Sequence, residues 1–154
     1  VLSLVLLLPC LSSCSGDATK DKTISVAEGY AEMTAAIGKA RSLLPEFWQV
    51  FDHREHDETD FCLKVKITDK DNVEHFWAVD IERKDGKIFG TINNDPNQVH
   101  NVKIGDRIPI PEKDISDWLY ERDGKMVGNY TLRVLFKQMP AAEVENYKKM
   151  LADP

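Results

Sequence analysis

An α+β fold is predicted by three features of this 154-residue chain. Apolar residues recur at helical spacing from Tyr30 to Leu44, then alternate with polar ones from Phe61 to Thr68 and from His75 to Arg83. Helical spacing returns after Gly128. Two Asp-Gly pairs, Asp85-Gly86 and Asp123-Gly124, lie between extended stretches. A two-residue hairpin favours this pair, because both turn positions need positive φ. The expected architecture is an N-terminal helix, an antiparallel sheet of about five to six strands built from hairpins, and a C-terminal helix or helices.

Composition bounds the rest. With 42% hydrophobic and 30% charged residues, the chain suits one globular domain. A net charge of −6 gives no basic footprint for nucleic acid. Residues 1–13 read as an N-terminally incomplete lipoprotein signal peptide. Val1 to Leu8 is apolar except for Ser3, and far short of the ~20 residues that cross a bilayer as a helix. Leu11-Ser12-Ser13-Cys14 then resembles a bacterial lipobox, with Cys14 as the lipid-modified residue. Cys10 fits less well, because Leu8-Pro9 precede it in place of small residues. Acyl chains on Cys14 would hold the protein to lipid at about 0.8 kcal/mol per buried methylene. By resemblance to lipoprotein sorting, Ser15 directs such an anchor to the outer membrane, facing the periplasm. Residues 14–24 then serve as a polar tether, and 25–154 as a single α+β domain. Cys62 is left without a disulfide partner in that mature chain.

Ser25 to Glu28 has the form of a capping box. It leads into a helix carrying Tyr30, Met33, Ile37, Ala40 and Leu44, which Gly29 and Gly38 weaken by about 1 kcal/mol each relative to Ala. Pro45 starts a second helical turn bearing Phe47, Trp48 and Phe51. Asp52 to Asp60 is an acidic run containing His53 and His56. Three residues apart, these imidazoles would share one side of a helical turn, a weak metal-site candidate; a solvated acidic loop is the plainer meaning.

Phe61, Leu63, Val65 and Ile67 form one face of a strand, and Asp69 to Asn72 a turn. In the next strand Trp77, Val79 and Ile81 are expected on one face, with Phe76, Ala78 and Asp80 on the other. Gly90, in the returning strand Ile88 to Ile92, marks a bulge or a close backbone approach. Asn93-Asn94-Asp95-Pro96 breaks the sheet. Val99 to Ile104 is expected to be extended, Arg107 to Pro111 an edge or strand end, and Ile115 to Arg122 a further strand. Tyr130 to Phe136 fits either a helix or a strand. Pro140 opens a final polar helix.

Several of these stretches resemble the bacterial YegJ-like domain of unknown function. They are Glu-His-Phe-Trp at 74–77, Asn-Asp-Pro at 94–96, Gly-Asp-Arg at 105–107, Ile-Ser-Asp-Trp at 115–118 and Gly-Asn-Tyr-Thr-Leu-Arg at 128–133. The similarity runs from about Ala31 to Met139 in the same order. It implies an α+β domain in bacteria, sometimes exported, and carries over no enzyme class and no cofactor.

The function expected from the residues is a membrane-tethered binding or interaction module, with lipid engaged through Cys14 and a protein as partner. Candidate binding residues are Glu74, His75, Asn93, Asn94, Asp95, Asp117 and Trp118, polar and aromatic side chains at strand ends, where loops gather binding groups. Turn capping and core filling would also explain each of them. Two alternatives differ in class. A small metal-dependent or His/carboxylate hydrolase would use His75 or the His53/His56 pair. An immunity-like, toxin-neutralising protein would use the acidic charge.

Overall fold

A computed structural model describes the backbone of residues 2–6 and 22–26 and all atoms of residues 31–54 and 57–153. The fold is α+β, as expected. Its strands are β1 (Leu2–Leu6), β2 (Lys22–Val26), β3 (Thr59–Asp69), β4 (Asn72–Lys84), β5 (Lys87–Ile92), β6 (Arg107–Pro109), β7 (Ile115–Arg122) and β8 (Lys125–Gly128). Its helices are α1 (Ala31–Ser42), α2 (Leu44–Asp52), α3 (Tyr130–Leu135) and α4 (Ala141–Met150). Two compact units divide the chain: Val1–Glu28 with Cys62–Ile115, and Gly29–Phe61 with Ser116–Pro154.

In the first unit β4 is the central strand. β3 pairs antiparallel along one side, with Lys64 opposite Trp77, Val65 opposite Phe76 and Lys66 opposite His75. β5 pairs antiparallel on the other side and carries β6 as its outer neighbour. The β4–β5 hairpin turns at Asp85 and Gly86, with φ of 52° and 73°, the geometry the Asp-Gly pair foretold. Phe76, Ile92 and Val99 form one buried cluster of the unit's core, packed by Ile67, Val102 and Ile108.

The alternation expected along β4 does not survive to Ile81. A register shift between Val79 and Glu82, with Asp80 at φ 50°, inserts a bulge. Ile81 is thereby turned onto the side of Ala78, where both crowd Gly90. A Cβ at Gly90 would lie 2.9 Å from Ile110 Cδ1 and 3.0 Å from both Ala78 Cβ and Ile81 Cδ1. Gly90→Ala is therefore expected to cost about 1–3 kcal/mol by overpacking, measured by urea denaturation. Val99 to Ile104, expected extended, forms no strand. The amides of Asn97, Gln98 and Val99 are bound by a side chain and do not join a ladder.

β1 pairs antiparallel with β2, and parallel with β4 at Ser3–Glu74 and Leu4–His75. Part of the expected signal segment and part of the tether thus coincide with strands, while Cys10 and Cys14 lie outside the described residues. Ser25 sits in β2 and so does not cap α1, whose described turns begin at Ala31. Glu28, the other half of the expected capping box, lies outside the described residues.

The second unit is built on aromatic packing. Pro45 stands in the first turn of α2, where a missing N–H costs no helical bond. Phe47 from that helix lies 4.9 Å from Trp48, 5.8 Å from Phe61 and 5.3 Å from Trp118, centroid to centroid. Edge-on and tilted pairs of this kind add about 0.5–1.5 kcal/mol each beyond burial. Trp118 Nε1 donates to the carbonyl of Ala40 at 2.8 Å and ties β7 to α1. Arg122 bridges to Glu58 at 2.9 Å, a carboxylate whose side chain is 1% exposed. Asp123 and Gly124 turn the β7–β8 hairpin with positive φ, again as the residue pair required. Tyr130–Leu135 is a helix, followed by a 3₁₀ turn at Phe136–Gln138, which decides between the two conformations the sequence allowed there.

Candidate functional site

The polar corner after β5 is organised by residues buried beneath it. Glu74 on β4 is wholly buried. Its carboxylate accepts from the amides of Asn97 (3.0 Å), Gln98 (2.9 Å) and Val99 (3.3 Å). Three successive N–H groups surrounding one anion form a charge-assisted cradle. Asn94, also wholly buried, accepts from the Trp77 amide through Oδ1 at 2.9 Å. Asp69 accepts from the His100 amide, and Asn101 Nδ2 donates to the Thr68 carbonyl. At the loop's far end, Lys103 N donates to Asp106 Oδ2 at 3.0 Å, and Gly105 N to the Ile92 carbonyl at 2.8 Å. The 93–106 loop is thus fixed to β3, β4 and β5 along its length. It presents Ile104, half-exposed at 50%, the large hydrophobic side chain left exposed among the described residues.

The sequence pointed to the floor of this corner and missed its roof. Glu74 and Asn94 hold backbone, Asn93 is half-buried, and Asp95 is exposed. Ile104 was passed over because a strand was expected there. The available signal was the bracketing of 97–104 by two turn clusters, Asn93 to Pro96 and Gly105-Asp106, with an apolar residue at its end.

His75 points to the opposite face of β4 from Glu74, as strand alternation requires. It is 4% exposed, and Lys66 stands directly across from it. Lys64, 2% exposed, places Nζ 4.8 Å from the Trp77 ring centroid on that same face. Burial chiefly, then the charges of Lys64 and Lys66, lower the His75 pKa to about 3. So weak a base is poorly matched to proton abstraction near neutral pH. The folded value lies below the ordinary 6.5, so the folded state favours neutral imidazole and the unfolded chain binds the proton first. The resulting stability is complete above pH 6.5 and is lost as pH falls. Wild type is expected to lose about 2 kcal/mol more than His75→Gln between pH 6.5 and 5, at about 1.4 kcal/mol per unit. Urea unfolding at stepped pH measures this; parallel curves for the two proteins would refute it.

Asp117 and Trp118 belong to the second unit. Asp117 is wholly buried and accepts from the amides of Trp118 (2.9 Å), Tyr130 (3.2 Å) and Thr131 (2.7 Å), and from Thr131 Oγ1 (2.6 Å). Burial foremost, with Asp117 among the nearby negative charges, raises the Tyr130 pKa above the ordinary phenolic value. Trp118 is 3% exposed within the aromatic core. His53 is exposed just after α2, and His56 lies outside the described residues. Among the described residues, no group of three or more His, Cys, Asp or Glu side chains is arranged to hold a metal ion.

Comparison with known proteins places this architecture. The family model described as "Uncharacterized protein conserved in bacteria (DUF2314)" matches residues 30–152. The "Uncharacterized protein YegJ" of Escherichia coli (strain K12) is 37% identical over 128 residues, covering 82% of each chain. A "Putative ankyrin repeat protein NMB1133/NMB1171" of Neisseria meningitidis serogroup B (strain ATCC BAA-335 / MC58) is 32% identical over 114 residues. That match takes in 68% of this chain and 45% of the relative. No solved structure matches. The family match spans both units, including the Glu74 cradle and the Asp117 cap, and the chain belongs to this conserved bacterial DUF2314 family.

Proposed function

We propose that the protein is a lipid-anchored interaction module, held through acylated Cys14 at the outer membrane facing the periplasm, whose 93–106 loop contacts a protein partner. The observation that carries this reading is the loop itself. A buried carboxylate fixes three of its successive amides, while Ile104 stands 50% exposed. Long loops held rigid on a scaffold usually carry function. A preordered loop also loses little entropy on binding, and the exposed apolar side chain of Ile104 provides an anchor to bury.

The test uses the full chain expressed in its membrane. Ile104→Asp is expected to change stability by no more than about 0.5 kcal/mol, as for other surface substitutions. It should also lower recovery of a cross-linked partner about tenfold or more, the effect of losing a binding anchor. Undiminished recovery would remove the loop from the reading. Cys14→Ser is expected to move the protein from membrane to soluble fractions, and mass spectrometry of the wild type should find Cys14 acylated. An unmodified Cys14 would end the tethering part.

A further inference from the structure

The outer edge of β4 is closed by three different means along its length. β5 follows it as far as the pair Ala78–Ile92. Beyond that, Asn93 N donates to the Trp77 carbonyl at 2.9 Å, and Asn94 Oδ1 accepts from Trp77 N at 2.9 Å. Both edge-facing backbone groups of Trp77 are therefore taken by the corner. Outward and inward residues alternate along an antiparallel strand, so His75 and Val73 turn their N–H and C=O to the same side as Trp77. Glu74 and Phe76 turn theirs to β3. Across this last stretch lies β1, parallel, with Ser3 beside Glu74 and Leu4 beside His75.

We propose that in the lipid-anchored form the edge from Val73 to His75 accepts an extended, proline-free, apolar segment of a partner protein as an added parallel strand. This rests on the Cys14 reading, because cleavage before Cys14 removes Val1 to Ser13 and β1 with them. The chain itself supplies the template for the occupant, since Leu-Ser-Leu-Val-Leu is the strand seated there. Added strands draw affinity from main-chain hydrogen bonds, and an edge left bare is a template for unwanted pairing. β5 pairs with β4 no further than Ala78, and Asn93 and Asn94 occupy Trp77, so the stretch up to His75 is left to another strand.

The experiment compares hydrogen exchange of the His75 amide in two preparations. One is the processed, acylated protein in detergent micelles; the other is the uncleaved Cys14→Ser chain. The probe is a synthetic peptide of Val1 to Leu8 bearing solubilising lysines. The His75 amide is expected to exchange about tenfold or more faster in the processed protein, as for an opened strand edge. Adding the peptide should restore protection. Equal protection in the processed protein without peptide would overturn the inference, showing that Lys22 to Val26 or a second copy seals the edge. Fast exchange unaffected by the peptide would overturn it as well. If mass spectrometry shows that residues 1–13 are retained, the tethering reading falls first and the edge stays with β1. If they are cleaved and the edge remains protected, only the present inference fails.

Discussion

Asp117→Ala is expected to lower the unfolding free energy by about 3–5 kcal/mol, the range for breaking a buried charged group away from its partners. The carboxylate serves three amides and a hydroxyl within 2.6–3.2 Å. Two of those amides, Tyr130 and Thr131, open α3. The residue before that helix, Asn129, has a left-handed backbone with φ 51° and gives no side-chain cap. Asp117 therefore caps α3 from β7, across the β8 hairpin. Alanine would leave these donors buried without an acceptor. Asparagine keeps one acceptor oxygen and should lose less than alanine. Urea denaturation followed by tryptophan fluorescence reads this directly, since Trp118 adjoins the site. A loss below about 1 kcal/mol for alanine, the net worth of one ordinary hydrogen bond, would contradict the capping role.

Glu74→Ala is expected to cost about 2–4 kcal/mol and to release the 93–106 loop, by leaving the amides of Asn97, Gln98 and Val99 unpaired. Val99 is part of the first unit's buried core, so the damage extends beyond the loop. Exchange at these three amides should accelerate in step with the lost stability. If the loop is the interaction surface, Glu74→Ala should also weaken partner recovery, although Glu74 itself is wholly buried. Its effect on recovery separates from that of Ile104→Asp because the latter leaves stability and loop exchange unchanged. Recovery retained in Glu74→Ala, with the loop demonstrably released, would detach loop order from binding.

Much of this molecule follows from local chemistry written in the chain. The two Asp-Gly turns, the alternating strand after Phe61, the helix begun by Pro45 and the close approach at Gly90 are each set by neighbours in sequence. The polar residues Glu74, Asn94 and Asp117 also announced themselves by type and position. What they do was decided elsewhere. Glu74 reaches residues more than twenty positions away, and Asp117 reaches Thr131. A carboxylate with a distant partner reads in sequence like one facing a ligand. Val99 to Ile104 failed as a strand for the same reason: its neighbours' amides were claimed by a side chain from another strand. Ile81 changed faces through a bulge at Asp80, which no period in the sequence marks. The sequence by itself determined the order of helices and hairpins, because those depend on spacing and turn residues. The tertiary structure decided which polar groups are scaffold and which side chain stands exposed, because burial and long-range hydrogen bonds exist only once the strands have met.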